Sequence, residues 1–266
     1  MTRRTVMPAD REFKGGVHVY LSPHYDDVCF SLAHLACRQG GDLVNLFTLS
    51  RYVAVDMELP ADGWARVGVI SRLRQQEDQL FAHAARLTRH DLGLWEPALL
   101  GHGPFDLTSL EVEVAALSAR LMPCILSILP GEGDSRTASL YCPMGIGGHR
   151  NHLSTLLAVR RMYDALRHRC TVFLYEDLHY ASVPRARQEG VRRATQLFAG
   201  SLLPPTVLPI ISDDVERKMQ LISLYASQHA HAPRIVDFTP ASGIASGLHE
   251  IVWQVSPSIG GQKSRD

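Results

Sequence analysis

The segment that most narrows the fold is a strand, turn and helix read in immediate succession. Val17 to Leu21 (VHVYL) is apolar and β-branched and runs into Ser-Pro, as a strand entering a loop does. Asp27 then opens VCFSLAHLACRQ, apolar at helical intervals and stopped by Gly40 and Gly41. A strand that feeds directly into a helix predicts a crossover unit and therefore a parallel sheet.

The alternation continues. Strands are expected over Leu43 to Leu49, over Leu92 to Trp95, in CILSILP from Cys124, in TVFLYED from Thr171 and in VLPII at Val207. Helices are expected over Arg66 to Leu87, Leu107 to Leu121, His152 to His168, Pro184 to Ala199 and Asp213 to His229. The expected class is α/β: a Rossmann-like three-layer sandwich whose mostly parallel sheet is covered on both faces. No Pro/Gly/Ser-rich linker, charge run or repeat divides the 266 residues, so a single domain over 1–266, with a core of about 17–230, is expected. Ligands of such sheets bind beyond the carboxyl ends of the strands, which tells where to look.

SPHYDD, Ser22 to Asp27, lies in that place. His24 offers an imidazole, Asp27 a carboxylate at the entry to the helix, and Asp26 between them remains free. A catalytic zinc needs about three protein ligands and one open position. The third ligand should come from another loop on the same sheet edge, and GIGGHRNH, Gly145 to His152, precedes a helix where one is wanted. Alone, His149 and His152 are compatible with ordinary surface or core histidines; beside SPHYDD, one is expected to ligate and the other to move protons.

Composition removes other classes. Lys plus Arg and Asp plus Glu are both 27, so bulk charge argues for no nucleic-acid or anionic-membrane partner. Five widely spaced cysteines without a C-x-x-C pair fit reduced, buried thiols. The first residues lack the apolar stretch of a signal peptide, and no run reaches the roughly 20 apolar residues of a membrane span. A cytoplasmic protein without a membrane partner is expected, and a homo-oligomer is compatible with it. A dinucleotide-binding transferase, the other reading of the alternation, needs a Gly-rich turn after the first strand, where SPHYDD stands instead.

These residues carry a resemblance to the PIG-L/LmbE-like deacetylases, which remove N-acetyl groups from glucosamine derivatives. The family's H-x-D-D element matches His24, Asp26 and Asp27, and its H-x-x-H element matches His149 and His152. Its R-x-x-E-D element matches Arg74, Glu77 and Asp78, its YED matches Tyr175 to Asp177, and its late K-x-x-x-I-x-x-Y-x-S-Q pattern matches Lys218, Ile222, Tyr225, Ser227 and Gln228.

The resemblance implies one Zn2+ per chain on His24, Asp27 and His152, although iron, cobalt or manganese also suits such a donor set. It further implies Asp26 as general base, His149 as general acid and transition-state partner, and Arg74 as a substrate-binding donor. The substrate implied is a small-molecule N-acyl amino sugar or glycoside. A catalytically silent member, or one acting on another amide such as a thiol conjugate, is the alternative.

The chain departs from the usual H-P-D-H in carrying Arg150 and Asn151 between the histidines. An amide is then expected where a carboxylate orients the first histidine, with less support for an imidazolium. Arg74 also has a structural reading as an exposed helix charge paired with Asp78 at i+4. Glu96 in LWEP lies near where related proteins carry a substrate-binding acid. His34, His83, His90, His102, His168 and His179 have no nameable partner. Specificity is expected from the loops Arg51 to Trp64, Gly101 to Phe105 and Gly131 to Pro143.

Overall fold

The computed structural model describes residues 16–60, 63–131, 135–232 and 247–256. The expectation about a signal peptide falls on residues outside these.

Five strands form the parallel body of one sheet: β1 (Val17–Ser22), β2 (Gly41–Asn45), β3 (Leu87–Asp91), β4 (Ala138–Pro143) and β5 (Thr171–Tyr175). Beyond β5 the sheet continues with two antiparallel partners, β7 (His249–Gln254) and then β6 (Thr206–Pro209), in the order β3-β2-β1-β4-β5-β7-β6. The helices are α1 (Asp27–Gln39), α2 (Gly63–Ala85), α3 (Leu110–Ile128), α4 (Arg150–Leu166), α5 (Pro184–Leu197) and α6 (Ser212–Ser223). α1 packs on α2 and α6, and α3 packs on α4, which gives the sheet its two outer layers. This is the expected α/β sandwich.

Across the middle of the sheet, Tyr20, Tyr141 and Phe173 stand in register on β1, β4 and β5. Their rings stack at centroid distances of 4.8 and 5.3 Å. Cross-strand aromatic pairs of this kind lock register, because a slip of one residue would send each ring to the opposite face. The Tyr20 and Tyr141 hydroxyls both donate to Gln39 Oε1 at the end of α1 (2.9 and 3.2 Å), tying sheet to helix.

Two expected strands are displaced. CILSILP is not a strand: it continues α3, where Val114, Leu117, Leu121 and Ile125 repeat at helical spacing on the buried face and Pro123 sits inside the helix. The strand is β4, over residues expected to form a loop. LGLW likewise lies past β3 and forms no strand: Leu92 and Leu94 donate to Asn45 and Leu46 at and beyond the end of β2, and Trp95 makes an isolated bridge with Leu49. β7, beyond the expected core boundary, is a strand that no expectation included.

α1 is kinked at Leu32 (φ −134°, ψ 22°). The kink releases the amides of His34 and Leu35, which donate to Glu250 Oε1 and Oε2 on β7 (2.8 and 2.9 Å). Lys218 of α6 closes the arrangement with a 2.7 Å ion pair to Glu250, and both side chains are fully buried. Two of the late motif's other residues grip α2: the Tyr225 hydroxyl donates to Asp78 (2.9 Å), and the Ser227 backbone amide and hydroxyl donate to Glu77 (2.8 and 2.6 Å).

Candidate metal centre

The strand order reverses at β1 and β4, and the turns leaving their carboxyl ends open beside each other. His24, Asp26 and Asp27 come from the first of these turns. His149 and His152 come from the second, with His149 as N-cap of α4 and His152 in its first turn. The order β1-β4 alone therefore brings the two motifs together.

Local contacts fix each turn. The His24 amide donates to Asp27 Oδ2 (2.7 Å), which folds the ligand-bearing turn on itself. On the other side, buried Arg150 donates to Glu113 (2.6 Å) and to the carbonyls of Asp106 and Thr108, anchoring the start of α4 on α3. Gly147 adopts φ +83°, and a Cβ there would collide with the Tyr180 ring, so glycine is needed twice over.

One ligating atom from each of His24, Asp27 and His152 lies within 4.8 Å of the others. His24 Nδ1 is 3.2 Å from Asp27 Oδ2, and His152 Nε2 is 3.3 Å from Asp27 Oδ1. Behind His152, its Nδ1 meets Asp177 Oδ1 at 2.6 Å, and Asp177 Oδ2 accepts from the Ile146 amide (2.9 Å). An imidazole that donates Nδ1–H to a carboxylate turns the Nε2 lone pair toward whatever lies ahead, here a second carboxylate. Lone pair against carboxylate repels unless something positive lies between them.

In the protein alone a proton serves. Burial opposes the imidazolium, but Asp27 and Asp177 outweigh it and raise the His152 pKa to about 10. Burial likewise opposes Asp27 ionisation, yet His152 and His24 hold that carboxyl well below its usual range. A buried carboxylate between two converging imidazoles is the donor set of a divalent cation with nitrogen preference, so these residues fit such a metal.

The other predicted residues surround this point. Asp26, His149 and Arg74 line a cavity of about 350 Å³ together with the three ligand candidates. Arg74 is not the exposed helix charge of the structural reading: only 4% exposed, it donates from Nη2 to Asp26 Oδ1 (2.7 Å) and from Nη1 to Glu96 Oε1 (2.8 Å). Burial would lower its pKa, but Glu96 and Asp26 raise it further above the ordinary value. Glu96 also accepts from the Ser50 hydroxyl.

His149 is neutral. Burial first, then the neighbouring His24 and His152, lower its pKa to about 2. The Asn151 amide nitrogen of the backbone donates to His149 Nδ1 (3.3 Å), which leaves Nε2 as the protonated nitrogen. The Asn151 side chain does not orient His149 as expected; its Nδ2 is 3.0 Å from His24 Nε2. The reason is geometric: at the second helical residue the side chain is carried past His149 toward the β1 turn.

Several cavity residues were not legible in the sequence. Tyr180 packs its ring edge-on against His152 (5.6 Å), and His179, without a nameable partner from sequence, stacks on His231 at 4.0 Å. Burial and His231 lower the His179 pKa to about 4. Of the expected specificity loops, two reach the cavity, through Tyr52 and through Pro104 and Phe105; the third ends in β4. Asp177, which the YED match marks in the sequence, stands behind His152 and holds its Nδ1.

No protein-family model matches the chain, and no curated protein matches it. Solved structures do. A deacetylase in the biosynthesis pathway of teicoplanin, solved as a bog complex, superposes with a TM-score of 0.64 at 18% identity over 92% of this chain and 99% of its own. The A40926 pseudoaglycone deacetylase gives 0.60 at 18% identity, covering 90% and 96%. N,N'-diacetylchitobiose deacetylase from Pyrococcus horikoshii gives 0.57 at 15% identity, covering 94% and 90%. The shared property at these identities is the fold, single-domain α/β with a seven-stranded, mostly parallel sheet.

Proposed function

We propose that this chain is a metal-dependent N-deacetylase of the PIG-L/LmbE-like kind, a cytoplasmic hydrolase that frees the amine of an N-acyl amino sugar or its glycoside. The observation that carries the reading is the convergence of two imidazoles on the buried Asp27 carboxylate, beside a cavity that also holds Asp26 and His149. Deacetylases of sugar-containing compounds among the similar folds support it.

His24, Asp27 and His152 would hold one zinc ion, or another divalent ion of similar preference. When bound, the ion supplies Lewis acidity, polarising the amide carbonyl and bringing a water's pKa toward about 7. Asp26 is the general base: Arg74 ties down Oδ1, which leaves Oδ2 to take the proton of the attacking water. His149, neutral with Nε2–H, donates a hydrogen bond to the oxygen on which charge develops. The proton that Asp26 takes from the water is the one the departing amine receives, by way of His149 in the acid role that the resemblance implies.

Arg74 has two roles. It uses one Nη1 hydrogen on Glu96, the other on Ser50 Oγ (3.3 Å), and one Nη2 hydrogen on Asp26, so one Nη2 hydrogen remains for a substrate oxygen. Positioning the base is its larger contribution.

The deciding experiment measures bound metal and acetate release from N-acetylglucosamine and several of its glycosides, for wild type and His152→Ala. Metal bound by wild type and lost in the variant, with acetate release following it, is expected. Wild-type protein that takes up no zinc when offered it would remove the proposal, and metal binding without acetate release from any of these substrates would favour the silent alternative.

A further inference from the structure

Asn151 is fully buried, and among the described residues its side chain makes one hydrogen bond: Nδ2 lies 3.0 Å from His24 Nε2. Its other amide atom, Oδ1, is buried with no hydrogen-bond partner among the described residues. A buried, unpaired amide oxygen costs on the order of 1–3 kcal/mol, and folded proteins rarely keep one without a reason.

The reason lies in what the amide can exchange. With Nδ2 donating, His24 Nε2 must hold a lone pair, so the ring proton sits on Nδ1, 3.2 Å from Asp27 Oδ2. That state is satisfied without any metal. A half-turn of the amide brings Oδ1 to His24 and moves Nδ2 into the place where Oδ1 had no partner. One amide atom is unpaired in either orientation, so the protein itself is nearly indifferent between them. In the second state Oδ1 accepts from Nε2–H, and Nδ1 presents its lone pair toward Asp27. A carboxylate at this position could only accept, and would impose the second state permanently.

Resting on the metal reading above, we propose that Asn151 is a positioning residue that acts through His24. Its amide turns with the His24 tautomer, supporting Nδ1–H toward Asp27 when the metal is absent and Nε2–H when Nδ1 is a ligand. The net change in His24 is one proton removed from Nδ1 and one placed on Nε2. Removing the partner of a ligating histidine typically weakens metal affinity about 10–100-fold.

The test is zinc affinity by competition with a chromophoric chelator, on metal-free wild type, Asn151→Ala and Asn151→Asp, with thermal unfolding of each metal-free protein as the check on folding. Asn151→Ala is expected to bind zinc about 10–100-fold more weakly. Asn151→Asp is expected to bind at least as tightly as wild type, a rescue that a merely space-filling role would not produce. As a second readout, ¹⁵N NMR of the wild-type histidines should find His24 protonated at Nε2 in the zinc-loaded protein and at Nδ1 in the metal-free one.

Wild-type zinc affinity in Asn151→Ala, or the same His24 tautomer in both states, would overturn the inference while leaving the proposed function standing. Zinc-free wild type would overturn both.

Discussion

Two buried clusters of charge in this molecule are built from similar parts and end in opposite states. Around Glu250, each carboxylate oxygen has a donor: Lys218 Nζ and the His34 amide on one, the Leu35 amide on the other. At the cavity, Asp27 has the His24 Nδ1 proton on one oxygen but faces, on the other, a His152 ring nitrogen whose lone pair would oppose it but for a bound proton. The first cluster is complete within the chain, and the second is complete only with an added positive charge. Burial alone thus does not mark a functional site, whereas burial with an unfilled demand does.

The comparison predicts that damage at the Glu250 cluster costs stability without chemistry, whereas damage at the cavity costs chemistry whatever it does to stability. The largest effect is expected from His152→Ala, which removes zinc uptake and with it essentially all acetate release; because it also strands the buried Asp27 and Asp177 carboxylates, its metal-free form is expected to unfold at lower urea than wild type. Asp26→Asn should retain zinc yet lose about 10²–10⁴ in kcat, the usual worth of a positioned general base. If that variant turned over at the wild-type rate, the base would have to be sought elsewhere.

Lys218→Met should do the reverse. It strands a fully buried Glu250 carboxylate and is expected to cost about 3–5 kcal/mol in urea unfolding, with zinc affinity of the folded protein unchanged. Should it lose zinc before it loses structure, the two clusters are coupled and the contrast fails.

The pH profile sharpens the difference further. The folded-state pKa of His152 is raised to about 10, above the unfolded value of about 6.5. Its contribution to stability is therefore fully present below about pH 6.5 and is lost as pH rises through 10. Metal-free protein should lose melting temperature across that window, and zinc-loaded protein should not, because the ion takes the place of the proton. The smallest of these effects, about 1–3 kcal/mol, is expected for Gly147→Ala, from φ +83° and the clash with Tyr180. Thermal unfolding of that variant measures it.

The parts of the site that were legible in the sequence are those carried by short spacing. His24 with Asp27, and His149 with His152, each sit on one turn, so a strand end or helix start suffices to place them. What was illegible depends on distant chain. Arg74 reads as a surface charge until α2 is laid beside the β1 turn, and nothing near Asn151 says that its amide reaches His24. The same holds in the fold. β4 was missed because CILSILP has the stronger apolar run and Pro123 looks like a stop, although Leu117, Leu121 and Ile125 keep a helical period across it. β3, Leu-Thr-Arg-His-Asp, is a polar edge strand and carries little apolar signal.

The position of β7 bears on the order in which the molecule can assemble. Among the described residues β6 pairs with β7 alone, and β7 lies between it and β5. Synthesis delivers β6 some forty residues before β7, so that strand must wait at the margin of a half-built sheet. The turns bearing His24 and His152 need only β1 and β4 beside each other and can be laid down earlier. The kink in α1, however, has no acceptor for its two released amides until Glu250 arrives. Maturation of the helix that begins at Asp27 is therefore tied to a segment more than two hundred residues downstream, a long-range closure of the kind that makes folding slow.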